Sequence, residues 1–358
     1  MRLEEVDTPA LILDLDAFET NQQRLKDAVK GRVRVRAHAK THKCPEIAKR
    51  QVAAGAVGVC CQKVSEAEAM VEGGIADVLV SNEIIGMTKL NRLAGLARRA
   101  RIGVCVDHAD NVRDLQTAAA RAGVKIDAYI ELEVGMRRAG ISPGGPALEL
   151  VKQIVAAPDL RFAGIHAYHG RAQHIRSAEE RRAVITNSGL LVKNTRTLLK
   201  QNGIDCPIVT GAGSGTFMFE VELGAWDEIQ PGSYVFMDWD YARNEWAPPM
   251  PRFEHSLFVL AGVMSRPGPA VAIVDAGLKA SSVDSGMPGV WERPGLTYTH
   301  ASDEHGWVEG MPAPALGEKL LLVPGHCDPT VNLYDWYVCV RGGVVEALWP
   351  ITARGALT

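Results

Sequence analysis

Apolar positions follow two rhythms along this chain. Up to about residue 245, short apolar runs that fit strands alternate with longer stretches whose apolar residues recur every three or four positions. The runs are Val33–His38, Gly58–Gln62, Asp77–Ser81, Ile102–Asp107, Ile126–Glu133, Phe162–Tyr168, Pro207–Thr210 and Glu228–Phe236. Ser65–Gly73, Thr88–Arg99, Asn111–Ala122, Ala147–Ala157 and Ala178–Gln201 carry the helical spacing between them. Such alternation predicts an α/β fold, a (β/α)8 TIM-type barrel over residues 17–245. After residue 250 the spacing changes. Leu257–Met264, Val271–Val274, Leu296–Thr299, Lys319–Val323, Trp336–Val340 and Val344–Trp349 follow one another with turns and no clear helix. They predict a C-terminal all-β domain, residues 246–358, which residues 1–16 join through the further strand Thr8–Leu15.

Composition leaves this picture intact and excludes several function classes. The 358 residues are 47% hydrophobic and 23% charged, as in an ordinary globular protein, and the net charge is -3. No basic excess points to nucleic acid, and no apolar run is long enough to span a bilayer. Glu4, Glu5, Asp7, Asp14 and Asp16 argue against a signal peptide. Seven cysteines, an odd number without a CxxC pair, fit reduced thiols and a cytoplasmic location.

Candidate chemistry falls at the C-terminal strand ends, where barrels of this kind carry their sites. Lys40 follows the first strand among His38, His42, Lys43 and several arginines. Positive neighbours lower a lysine's pKa, so Lys40 is expected to present a neutral amine able to form an imine; a basic surface edge is the plainer reading. Gln62 ends the second strand and Arg138 follows the fifth. Arginine's forked donors suit a phenolate or carboxylate, whereas Arg137 reads as an exposed loop residue. Tyr168, His169 and His174 follow the sixth strand as acid–base candidates, or as capping and core groups. After the seventh, Thr210-Gly211-Ala212-Gly213-Ser214-Gly215-Thr216 is either a plain turn or a backbone cradle for phosphate, with Gly232 and Ser233 closing its other side. In His326-Cys327-Asp328, an extended segment would put His326 and Asp328 on one face. That spacing fits either a divalent cation of the Mn²⁺ or Mg²⁺ type or a simple hydrogen bond in a turn.

Together these strings resemble the metal-dependent D-threonine aldolases and their relatives, the 3-hydroxy-D-aspartate aldolases, within the alanine-racemase-like, fold-type III pyridoxal phosphate enzymes. The resemblance rests on His38-Ala39-Lys40-Thr41-His42-Lys43-Cys44-Pro45, Cys60-Cys61-Gln62-Lys63-Val64-Ser65, Ala167-Tyr168-His169-Gly170, Val274-Asp275-Ala276-Gly277 and His326-Cys327-Asp328-Pro329-Thr330. It runs nearly end to end. It implies pyridoxal 5'-phosphate on Lys40 as a Schiff base, Arg138 toward the ring oxygen, and His38, Gln62, Ser214, Gly215, Gly232, Ser233 and Tyr241 around the cofactor. It implies a divalent metal (Mn²⁺, or else Mg²⁺ or Co²⁺) on His326 and Asp328, His174 as base, Tyr168 beside an amino-acid substrate, and a homodimer. The departures are Ala212 where glycine and Ser214 where threonine is expected, both small and with Ser214 keeping the hydroxyl, and Met136-Arg137 before Arg138 in place of a smaller or more neutral pair. The related D-serine dehydratases typically have Cys where Asp328 stands, so Asp328 favours aldol cleavage.

The expected activity is retro-aldol cleavage of D-threonine and other D-β-hydroxy-α-amino acids to glycine and an aldehyde, the work of an aldehyde-lyase. The alternatives are 3-hydroxy-D-aspartate aldolase, a D-serine or 3-hydroxyaspartate dehydratase, a racemase, a non-enzymatic cofactor carrier, or a barrel aldolase using Lys40 without a cofactor.

Overall fold

Strands β2 (Arg34–His38), β3 (Gly58–Cys61), β4 (Asp77–Glu83), β5 (Arg101–Val106), β6 (Ile126–Glu131), β7 (Leu160–Ala167), β8 (Val209–Gly211) and β9 (Glu228–Ile229) close on one another as a parallel barrel. The computed structural model describes all 358 residues. Parallel strands covered by helices are buried on both faces, which is why they read as apolar runs. No helix is long and apolar enough to cross a membrane.

β1 (Ala10–Asp14) precedes the barrel and lies in the second sheet, between β10 (Leu257–Gly268) and β16 (Trp336–Arg341). That sheet also holds β11 (Val271–Val274), β12 (Gly289–Val290), β13 (Thr297–Ala301), β14 (Gly306–Glu309), β15 (Lys319–Val323) and β17 (Val344–Pro350). β12 and β14, of two and four residues, carry too little alternation to show in the sequence. Asp303-Glu304-His305 is the polar turn that joins β13 to β14.

The second domain also contains a 3-10 turn, Leu3–Glu5, and an α-helical turn, Cys327–Val331, contrary to the expectation of strands alone. Pro329 sits within its first turn, where no backbone donor is required. The segment is therefore not extended through Asp328. His326 caps the turn with extended backbone and Asp328 occupies its first residues, while Cys327 is wholly buried.

Backbone bonds strap this turn to the barrel rim. Trp239 and Asp240 N–H donate to the Pro324 and Gly325 carbonyls at 2.9 and 3.2 Å. Asp238, fully buried, accepts from Tyr241 N–H (3.0 Å) and Cys327 N–H (3.4 Å), bridging the two domains. Tyr337 donates its hydroxyl to the His42 carbonyl at 2.7 Å. These contacts hold His326 and Asp328 against the strand end that carries Lys40.

Candidate active site

A cavity of about 280 Å³ opens at the C-terminal end of the barrel. His38, Lys40, Gln62, Arg138, Tyr168, Ser214, Gly232, Ser233 and Tyr241 line it, joined by Thr41, Ser81, His166, Ala212, Gly213 and Gln230. A roomier cleft, about 430 Å³, lies at the opposite end of the barrel among Val33, Val35, Ala56 and Val57, far from these residues.

Lys40 meets Asp328 across the cavity wall in an ion pair between the two domains. The expectation of a lowered lysine pKa is overturned. Burial does push the ammonium down, but Asp328 and the Tyr168 oxygen outweigh it, and the pKa is raised. The supposed positive neighbours are either neutral or already paired with carboxylates. Burial and Lys40 hold His38 well below its ordinary range, and burial pushes His42 down to about 4. Lys43 is paired with buried Glu66 at 2.5 Å. Arg36 points into the barrel floor, between Glu228 (2.8 Å) and Asp77 (2.7 Å).

The other predicted residues divide by position. Gln62 Nε2 reaches His38 Nε2 (3.0 Å), Ser81 Oγ (3.1 Å) and the Ser81 carbonyl (3.2 Å). Arg138 stands 3.7 Å from Glu131 and places its guanidinium 5.9 Å from the Tyr168 ring centre. Ser214 Oγ accepts from Tyr234 N–H at 3.0 Å, which leaves its own proton free to donate into the cavity. His174 lies at the rim against the Tyr241 ring, centroids 5.4 Å apart, with Nδ1 2.7 Å from Asp240 Oδ2. Asp240 also pairs with Arg176 and Arg243; burial alone would raise its pKa, but those partners and His174 bring it down to about 2. Gly215 departs from expectation: its N–H is spent on Gln173 Oε1 at 2.9 Å, behind the cavity.

The Gly-rich loop has the shape of an anion cradle. Ala212 adopts φ +68°, a left-handed conformation that favours glycine and explains why glycine is expected there. A Cβ on Gly213 would stand 2.6 Å from Gln173 Oε1, and one on Gly232 would strike Thr41 Oγ1. Behind the loop, Gln173 donates to Thr216 Oγ1 (2.9 Å) and Thr216 donates to Glu220 Oε1 (2.8 Å). Glu220 is 1% exposed, and burial pushes its pKa up to about 7. A raised carboxyl pKa means the folded chain holds this proton more tightly than the unfolded one. Stability is then lost as pH rises from about 4.5 to 7. Glu220→Gln, an isostere that never ionises, is expected to match the parent in thermal stability at pH 5. At pH 8 it should exceed it by about 3 kcal/mol, as read from paired melting curves.

Sequence reasoning missed a second layer, inside the barrel. Glu131 and His166 are 4% and 2% exposed, with His166 Nδ1 3.2 Å from Glu131 Oε2. His166 Nε2 meets Gln230 Oε1 at 3.1 Å, Gln230 donates to Thr210 Oγ1 at 2.8 Å, and Thr210 donates to Glu228 at 2.8 Å. Burial disfavours the imidazolium, but Glu131 outweighs it and raises the His166 pKa; burial and Glu131 push neighbouring Glu83 up to about 7.

Two groupings have donors for a divalent ion. Cys105, Glu131 and His166 bring their donor atoms within 4.8 Å of one another, all three buried and His166 lining the cavity. There the histidine and carboxylate already pair, and burial holds the thiol protonated. The second grouping is His326 and Asp328. Asp328 Oδ1 is buried without a hydrogen-bond partner, an orphaned oxygen on the carboxylate whose Oδ2 pairs with Lys40.

The family profile for the alanine racemase N-terminal domain matches residues 13–239, and that for a serine dehydratase domain matches residues 256–340. The chain is 49% identical to a D-threonine aldolase of an Arthrobacter species, covering 99% of this chain and 94% of that one. It is 46% identical to the 3-hydroxy-D-aspartate aldolase of Paracoccus denitrificans, over 98% and 93%. This chain belongs to the D-threonine aldolase family. The crystal structure of D-threonine aldolase from Filomicrobium marinum superposes with a TM-score of 0.99 at 52% identity, covering 100% of this chain and 98% of that one. Membership makes the chain a lyase, and its barrel with appended sheet is the alanine-racemase-like fold.

Proposed function

We propose that this enzyme cleaves D-threonine and related D-β-hydroxy-α-amino acids to glycine and an aldehyde, using pyridoxal phosphate on Lys40 and a divalent ion on His326 and Asp328. The observation that carries this reading is the meeting of Lys40 and Asp328, 288 positions apart, at the wall of one polar cavity. The cavity fits the cofactor: an amine stands at its wall, and the backbone of residues 212–214 with Ser214 and Ser233 forms a cradle for phosphate. Tyr241 would add to that cradle, while Arg138, Gln62, His38 and Tyr168 would border the ring. An imidazole and a carboxylate suit Mn²⁺ best, with Mg²⁺ or Co²⁺ as alternatives. When bound, the cofactor supplies an electron sink at Cα and the ion acidifies a coordinated hydroxyl.

The protein's own groups do the rest. Asp240 fixes His174 through Nδ1, so Nε2 is the nitrogen left to accept a proton. His174 takes the proton of the substrate's β-hydroxyl, and that proton transfer accompanies breakage of the Cα–Cβ bond. Arg138, held beside Glu131, keeps a positive charge at the cavity wall. Relatives of nearly equal identity act on 3-hydroxy-D-aspartate by name, which makes this substrate the second reading. Parallel assays decide between them. With added Mn²⁺, D-threonine is expected to yield glycine at a higher kcat/KM than D-3-hydroxyaspartate, and neither to yield ammonia. The reverse ratio assigns the second reading, and ammonia release assigns a dehydratase.

A further inference from the structure

His326 does not stand alone. Its Nδ1 lies 2.8 Å from Asp284 Oδ2, a residue in the loop before β12. A carboxylate only accepts, so Nδ1 carries the hydrogen and Nε2 keeps the lone pair. Asp284 is itself held: the Ser282 hydroxyl donates to Oδ1 at 2.8 Å and the Ser285 hydroxyl to Oδ2 at 3.1 Å. The loop is fastened to the helical turn through one threonine. Ser282 N–H donates to Thr330 Oγ1 at 3.1 Å, and Thr330 donates to the His326 carbonyl at 2.8 Å. Gly325 lets the two backbones touch, since a Cβ there would run into the Gly286 carbonyl. Asp284 has no lysine or arginine within ion-pair distance, so the His326 ring is the only basic group it meets.

We propose that Asp284 is the positioning residue of the cation site, setting the tautomer and ring orientation of His326 so that Nε2 is presented to a divalent ion. The proposal rests on the assignment of that ion to His326 and Asp328. Imidazole ligands are commonly oriented by a carboxylate on the other ring nitrogen, and loss of such a partner typically weakens metal affinity 10–100-fold. None of the residues that make this arrangement lines the cofactor cavity, so its effect is separable from cofactor binding.

The test is Mn²⁺ binding to chelator-treated, cofactor-loaded protein, with free Mn²⁺ counted by electron paramagnetic resonance. Asp284→Ala is expected to raise the Kd by roughly 10–100-fold, and the Mn²⁺ concentration for half-activation is expected to move by the same factor. Asp284→Asn keeps an oxygen acceptor for Nδ1–H and should lose much less. The cofactor's visible absorbance should be that of the parent in both. An unchanged Kd in Asp284→Ala overturns the proposal, as does an equal loss in both variants, which would make charge rather than tautomer the cause. A loss of absorbance along with affinity also overturns it, as general damage. A parent that cleaves D-threonine yet binds no ion removes the ion assignment and this proposal together, whereas tight binding by both parent and Asp284→Ala removes only this proposal.

Discussion

Lys40→Ala protein is expected to be colourless and to cleave D-threonine more slowly by at least roughly 10³-fold, a loss of about 4 kcal/mol in transition-state stabilisation. Lys40 is the single lysine lining the cavity, so no other amine stands ready to replace it. Lys43, three residues on, is buried and committed to Glu66. The phosphate cradle is untouched by the substitution. Ser214, Ser233 and the backbone of Gly213 would still hold added cofactor without a covalent bond. The variant should therefore regain a free-cofactor absorbance on dialysis against pyridoxal phosphate while remaining inactive. A Lys40→Ala protein with more than a tenth of parental activity would show that the amine is not the attachment point.

Asp328→Ala separates the second domain's contribution from the barrel's. Cleavage of D-threonine should fall about 10³-fold, since the ion's several kcal/mol of charge stabilisation go with its carboxylate. The cofactor should stay bound, because Arg138, Gln62, Tyr168, Ser214 and Tyr241 do not depend on Asp328. Raising Mn²⁺ should not restore the rate, in contrast to Asp284→Ala, where it should. Steady-state rates over a Mn²⁺ titration, with the visible spectrum recorded on the same samples, read both effects. Loss of colour in Asp328→Ala would mean that the ion pair with Lys40 holds the cofactor rather than the reaction.

The barrel was legible because its strands are apolar on both faces; the eight runs read from the chain correspond to β2 to β9, even where β9 spans only two residues. Lys40, Arg138 and Tyr168 were legible because strand ends are where a barrel exposes side chains. His166 and Glu131 were not read, although counting back by two from Tyr168 places His166 on the same inner face. A histidine inside an apolar run looks like core. The charge state of Lys40 was misread because sequence neighbours were taken as spatial ones. His38 and His42 are buried and neutral, Arg36 turns into the barrel floor, and the partner that matters is 288 residues away. The alternation argument for His326 and Asp328 also assumed a strand where a helical turn forms; the turn brings Asp328 to Lys40 all the same. Asp238 and Asp284 left no signal, since the contact that gives each its role, Cys327 N–H for Asp238 and His326 for Asp284, lies 89 and 42 residues away in the chain.

Borohydride reduction followed by peptide mass mapping is the most direct measurement of the central claim, that Lys40 bonds to the cofactor aldehyde beside Asp328. The account predicts a yellow parent protein that bleaches on reduction and gains one pyridoxyl group, on the peptide holding Lys40, in the parent and in Asp328→Ala alike. A protein that is colourless and unmodified after incubation with pyridoxal phosphate, or one labelled at a different lysine, would contradict it.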